Sequence, residues 1–231
     1  MIWIFVVLLV GYGNAKSLRE PSAVPAEPWP ALALAGLLAL LVLAATRAGP
    51  RLSGSELGLV RAGSAWPAAL GLLFGVVAAL AALVVLRFPP ILGEPVRYGP
   101  LLEPDPVALL LRALVFMPLD TAVPEELAFR GLLFGWLRRG GDLRRAVLVS
   151  AGAYAAWHVV IVLATLAATN VAGDAWIAVL GTLAAFAAVF AGGVAFALLR
   201  EWSGRLAAPL AAHAAFNATI LLGLGLAPRD L

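Results

Sequence analysis

The chain of 231 residues contains no cysteine, two histidines and only 13% charged residues. Without cysteine there are no disulfides, no thiolate nucleophile and no thiolate ligands for zinc or iron–sulfur clusters. The shortage of charge excludes more. Soluble domains carry roughly 25% charged residues, so this sequence has about half of what a water-facing surface needs. Its 63% apolar content likewise excludes intrinsic disorder. Lysine is nearly absent: Lys16 is the one lysine among 16 bases, which against 13 acids leave a net charge of +3. The bases sit mostly in short stretches between apolar runs, not on one aromatic-bearing face. That is the pattern of membrane topology and not of nucleic-acid binding.

Long apolar sequence is what remains, and the mean hydropathy is +0.99. Runs long enough, or nearly so, to cross a hydrocarbon core of roughly 30 Å occur at 1–13, 30–46, 65–86, 146–167, 175–199 and 206–226. A seventh, 106–137, is apolar but carries charges. The expected fold is all-α: a polytopic integral membrane helix bundle of about seven to eight transmembrane helices around an intramembrane polar cavity. Residues 1–100 supply N-terminal helices and loops and 101–231 a helical core, integrated into one membrane domain. The Pro-rich stretches Glu20–Pro30 and Pro89–Pro106 read as loops.

The run 1–13 has the length of a signal-peptide apolar region. No basic segment precedes it, and Asn14-Ala15-Lys16-Ser17 is a poor cleavage site, so it reads as a short retained helix with cleavage as the alternative. Arg47, Arg51 and Arg61, then Arg138, Arg139, Arg144 and Arg145, then Arg200 and Arg205 occupy alternate loops. The positive-inside bias puts these loops and the N-terminus in the cytoplasm of a multi-pass cell-membrane protein, with Lys16 and Arg19 on the other side. Trp3, Trp29, Trp66, Trp136, Trp176 and Trp202 lie near span ends, as an interfacial belt requires; Trp157 alone falls mid-span.

Five charged residues fall inside a hydrophobic region, and all belong to 106–137: Arg112, Asp120, Glu125, Glu126 and Arg130. A charge at that depth costs several kcal/mol, so such residues pair or line a wet cavity. As a continuous helix this segment would run roughly 48 Å, too long for one straight crossing. Pro118 and Pro124 offer a break, which would make 123–138 a separate helix with Glu125 and Glu126 at its positive end. Glu126 and Arg130 are spaced to pair; Glu125, about 100° around the helix, is left over. A buried ion cluster holding helices together is the competing reading. Both histidines also fall within spans, His158 and His213, with Asn217 one turn beyond the latter. Counted from the nearest flanking arginines, Glu125 and His158 lie roughly 20 Å deep, Asn217 roughly 18 Å and His213 roughly 12 Å. Three helices thus bring polar residues to one slab of the bilayer, and the simplest chemistry for two acids, two imidazoles, a carboxamide and a guanidinium is water activation.

In sequence order, Glu125-Glu126-x-x-x-Arg130, Tyr154-x-x-x-His158 and His213-x-x-x-Asn217 resemble the three motifs of the CPBP intramembrane endopeptidases. That family includes the CaaX prenyl proteases and bacterial proteins linked to bacteriocin immunity. The likeness covers about 106–226, with Tyr154 where the family more often has Phe. It implies a glutamate-dependent peptidase with no catalytic metal or other cofactor. Glu125 would be the base, His158 would help activate water, and His213 with Asn217 would form the oxyanion site. Glu126, Arg130 and Tyr154 would shape and support it. The implied partners are the lipid bilayer and a peptide or protein substrate, lipidated or otherwise membrane-associated. The alternatives are a non-catalytic binding or immunity protein of the same fold and a metal-dependent membrane protease using Glu125, His158 and His213.

Overall fold

In a computed structural model, which describes residues 2–19, 28–60, 63–103 and 105–226, each apolar run forms a helix. In chain order these are α1 (Ile2–Arg19), α2 (Trp29–Ala48), α3 (Trp66–Arg87), α4 (Pro106–Arg138), α5 (Leu143–Trp157), α6 (Val159–Ala167), α7 (Ala175–Ser203) and α8 (Ala207–Gly225). Among the described residues there is no strand; an isolated bridge pairs Tyr98 with Thr169. Residues 20–27 of the Glu20–Pro30 stretch, and Arg61, lie outside the described residues.

Local chemistry sets the helix limits. Asp105, Asp142 and Asp174 cap α4, α5 and α7, their carboxylates accepting from the N–H groups of Ala108, Arg145, and Trp176 with Ile177. Each satisfies backbone donors that have no partner at a helix start. Gly204 ends α7 at φ 64°, a conformation that costs glycine nothing.

Among the described residues, five helices are long and apolar enough to cross a membrane: α2, α3, α4, α7 and α8. The pair α5–α6, bent by 46° at His158, makes a sixth if it is one span, and α1 is a shorter apolar helix. The count on length and composition is therefore five or six, against the seven to eight expected. The chain is an all-α, polytopic membrane protein. Trp3, Trp29, Trp66, Trp176 and Trp202 are all exposed near helix ends, whereas Trp157 is buried.

Two expectations are corrected. The prolines do not break α4, which runs unbroken for 33 residues. Its π-helical turns at Arg112–Phe116, Pro118–Ala122 and Leu127–Leu133 account for the difference. Their wider i→i+5 pattern accommodates a chain lacking the Pro118 and Pro124 N–H groups, which an ordinary α-helix would need. Glu125 and Glu126 consequently sit mid-helix, and the helix-start argument for their charge falls away. Similarly, α1 does not stop near residue 13 but continues through Asn14, Lys16 and Ser17. Asn14 Nδ2 donates to the Val10 carbonyl and Ser17 Oγ to that of Gly13, so these polar groups bond within the helix.

Small residues let the helices approach closely. Gly71 and Gly75, four apart on α3, lie against the Ala208 and Ala212 carbonyls of α8, where a Cβ would collide with the backbone. This is the small-x-x-x-small contact of membrane helices, and it fixes α8 where it presents His213. Gly193 of α7 abuts Ala151 of α5 less tightly, where a Cβ would stand 3.0 Å from the Ala151 Cα. At the polar end, the loop between α2 and α3 is tied down by Arg139, which pairs with Glu56, and by Arg200, which donates to the Ser55 and Glu56 carbonyls. Hydrogen bonds from Arg139, and then from the Ser53 N–H and hydroxyl, lower the Glu56 pKa from 4.5 to about 2.

Candidate active site

Helix α4 brings all five buried charges inward, and four of them pair off. Arg112 pairs with Asp120, whose other oxygen accepts from Thr121 Oγ1 at 2.8 Å. Arg130 Nη1 donates to Glu126 Oε1 at 3.0 Å, with both side chains fully buried. The guanidinium also donates to the Gly193 carbonyl and lies 4.2 Å from the centre of the Tyr154 ring. A buried cation is thereby compensated by a carboxylate, a carbonyl and an aromatic face.

Glu125 is the exception. The residue is only 4% exposed. Oε1 accepts from Trp157 Nε1 at 3.1 Å, whereas Oε2 has no hydrogen-bond partner among the described residues. Facing Oε2 are His158 Nε2 at 3.7 Å and His213 Nε2 at 3.9 Å. Both distances are too long for a direct bond and fit a small polar molecule between the three atoms. His158 stands at the α5–α6 bend, and its side chain, 16% exposed, is the most open of this trio.

The tautomers follow from the partners. The Tyr154 carbonyl, 2.7 Å from His158 Nδ1, can only accept, so Nδ1 carries the proton and Nε2 of the neutral ring presents a lone pair. His213 Nδ1 lies 3.0 Å from Glu126 Oε1, and its Nε2 lies 3.4 Å from the Tyr154 hydroxyl. Phe196 stacks on the His213 ring and Phe129 meets the Tyr154 and Trp157 rings edge-on, which fixes the imidazole and indole planes.

The structure therefore brings together Glu125, Glu126, Arg130, Tyr154, His158 and His213 from α4, α5, the bend and α8. Asn217 is not joined to them: it is half-buried on α8 and its side chain makes no hydrogen bond among the described residues. Trp157 is the site residue that sequence reasoning missed. Its signal was its depth, since an interfacial tryptophan has no reason to sit mid-span. Among the described residues no group of three or more acids and imidazoles is arranged to hold a metal ion. A separate cavity of about 890 Å³ opens between the ends of α3 and α8 and the 95–103 segment, and none of the site residues lines it.

Chemically, the arrangement offers a carboxylate oxygen with free acceptor capacity beside two imidazole nitrogens, in a place shielded from bulk water. The family model for type II CAAX prenyl endopeptidases, Rce1-like, matches residues 104–219, half of the chain. Searches of curated proteins and of solved structures find no match. On the extent of that match, the chain belongs to the Rce1-like family of type II CAAX prenyl endopeptidases, the CaaX-type intramembrane proteases, whose substrates are proteins or peptides in the membrane.

Proposed function

We propose that the protein hydrolyses a peptide bond with water activated by Glu125 and His158, without a catalytic metal. The observation that carries this reading is the buried, unpartnered Oε2 of Glu125 facing two imidazole nitrogens at 3.7 and 3.9 Å. A water between them donates one hydrogen to Oε2 and the other to the His158 Nε2 lone pair, which leaves an oxygen lone pair for a carbonyl carbon. Trp157 Nε1–H, bonded to Oε1, turns the other carboxylate oxygen toward that water.

Attack forms the C–O bond while the water proton passes to Glu125. The carbonyl oxygen becomes an oxyanion, and the same proton goes on to the leaving nitrogen as the C–N bond breaks. The products are an amine and a carboxylic acid, which becomes a carboxylate as the second water hydrogen passes to the His158 Nε2 lone pair. His213 serves the oxyanion as an imidazolium, the state in which both ring nitrogens donate, Nδ1–H to Glu126 and Nε2–H to the oxyanion. Asn217 has its carboxamide uncommitted and joins as a second donor once substrate is bound. Glu126, Arg130 and Tyr154 hold His213 in place. The reading assigns the core function to 101–231 and orients the N-terminus to the cytoplasm of the cell membrane.

The test is cleavage of a diverse peptide set, farnesylated CaaX peptides included, by the purified wild type and Glu125→Gln in detergent, with and without chelator. Cleavage that survives chelation and disappears in the variant is the expected result. Cleavage lost on chelation would replace this mechanism with a metal-dependent one. A fully active Glu125→Gln protein would remove Glu125 from the chemistry.

A further inference from the structure

The segment matching the family begins at residue 104, yet two consecutive residues of α1 reach the site's helices. In an unbroken helix the Val160 N–H would bond the Ala156 carbonyl four residues earlier. Here the Asn14 side chain stands in that bond: Oδ1 accepts from Val160 N at 2.8 Å and Nδ2 donates to the Ala156 carbonyl at 2.9 Å. The second Nδ2 hydrogen goes to the Val10 carbonyl at 2.9 Å, so the carboxamide orientation is dictated by its partners. A side chain inserted into the backbone ladder bends a helix, and the 46° bend falls here, at His158. Inside a bilayer the two freed backbone groups have no water to turn to, and the asparagine meets both.

The neighbouring residue acts on the other half of the pair. Gly13 lies flat against the Trp157 indole, where any Cβ would overlap the ring. Tyr12 packs on the same indole at 5.8 Å between ring centres. A turn away, Lys16 Nζ donates to the Asp120 carbonyl at 3.1 Å, the acceptor to which Pro124 has no N–H to offer.

We propose that Gly13 and Asn14 of α1 are positioning residues for the water-activating pair, Asn14 through the bend that carries His158 and Gly13 through the indole that holds Glu125. Stated for turnover, this rests on the peptidase reading above; stated as geometry, it does not. Asn14→Leu removes the insert and lets Val160 bond Ala156 directly. The helix straightens, and His158 turns away from Glu125.

The test uses the full-length protein in detergent, labelled with ¹⁵N-histidine. Only two imidazoles are present, and His158→Gln assigns them. Asn14→Leu is expected to move the His158 ring resonances and leave those of His213 in place. On a cleaved peptide, kcat should fall about tenfold to hundredfold, the scale of a misplaced catalytic group, with KM within about twofold. The melting temperature should not fall, because the Val160 N–H and the Ala156 carbonyl then satisfy each other. Gly13→Ala should lower kcat in the wild type and have little further effect in Trp157→Phe, since the two act through one hydrogen bond.

Unmoved His158 resonances with unchanged kcat would overturn the proposal. So would a loss of activity that merely tracks a lower melting temperature. Moved His158 resonances in a protein that cleaves nothing would uphold the positioning and sink the peptidase reading instead. A wild type that cleaves, a dead Glu125→Gln and an unaffected Asn14→Leu would do the reverse.

Discussion

Asp120 and Glu125 stand five residues apart on one helix, both buried, both at a depth where a charge is expensive. Asp120 is closed on itself: Arg112 takes one oxygen and the Thr121 hydroxyl the other. Glu125 has one oxygen held by Trp157 and one held by nothing. Burial and the carboxylate group itself do not separate them, but hydrogen-bond satisfaction does. A satisfied buried carboxylate stabilises packing, whereas one with free acceptor capacity beside two imidazoles is equipped to take a proton. Glu126 falls between. Its Oε2 is also without a partner, but Oε1 takes both Arg130 and His213, so its charge is committed.

The sharpest way to break this contrast is to neutralise each carboxylate in turn. Glu125→Gln should lower turnover by about 10²–10⁴-fold and leave thermal stability close to wild type, as measured by peptide cleavage and by melting in detergent. Asp120→Asn should do the opposite. Breaking the buried Arg112–Asp120 pair costs about 3–5 kcal/mol of stability, while turnover per folded molecule stays near wild type. If the two phenotypes came out alike, the distinction would collapse.

Smaller effects sharpen it. Asn217→Ala should slow kcat by about 10²-fold if its carboxamide meets the oxyanion, with stability unchanged because it has no bond to lose. An unchanged rate would assign Asn217 to packing. Trp157→Phe removes one charge-assisted hydrogen bond and should lower kcat about tenfold, corresponding to about 1.4 kcal/mol and near the lower end for bonds to charged groups.

The smallest effect belongs to a fourth carboxylate, Glu56, whose partner Arg139 sits in solvent. Its folded pKa, about 2, lies below the ordinary 4.5. The stabilisation it gives is complete above the unfolded value and is lost as pH falls toward about 2. Melting curves from pH 5 to 2 should therefore decline less steeply in Glu56→Gln than in wild type.

Much of the fold and of the site is legible in the amino-acid sequence. Apolar runs locate the helices because a bilayer admits little else. The count of residues from flanking arginines puts Glu125, His158 and His213 in one slab, and the three motifs supply their order. What cannot be read there is whatever depends on contact between distant segments. Pro118 and Pro124 look like breaks in one dimension, but π turns absorb them. Asn14 looks like the end of a span, yet its amide is taken up by a carbonyl 142 residues further along. The close contact of Gly71 and Gly75 with α8 has a local signature in their spacing, but not an address.

The length of α4 has a further consequence for where the chemistry takes place. Its 33 residues make about 50 Å of helix against a hydrocarbon core of roughly 30 Å. A helix so much longer than its membrane leans, and it leans more in a thinner bilayer. Leaning swings the ends and spares the middle. Ala122 is the midpoint of Pro106–Arg138, which leaves Glu125 within a single turn of the fulcrum. Changes in lipid chain length therefore displace Pro106 and Arg138 by several ångströms while the Glu125 carboxylate holds its depth.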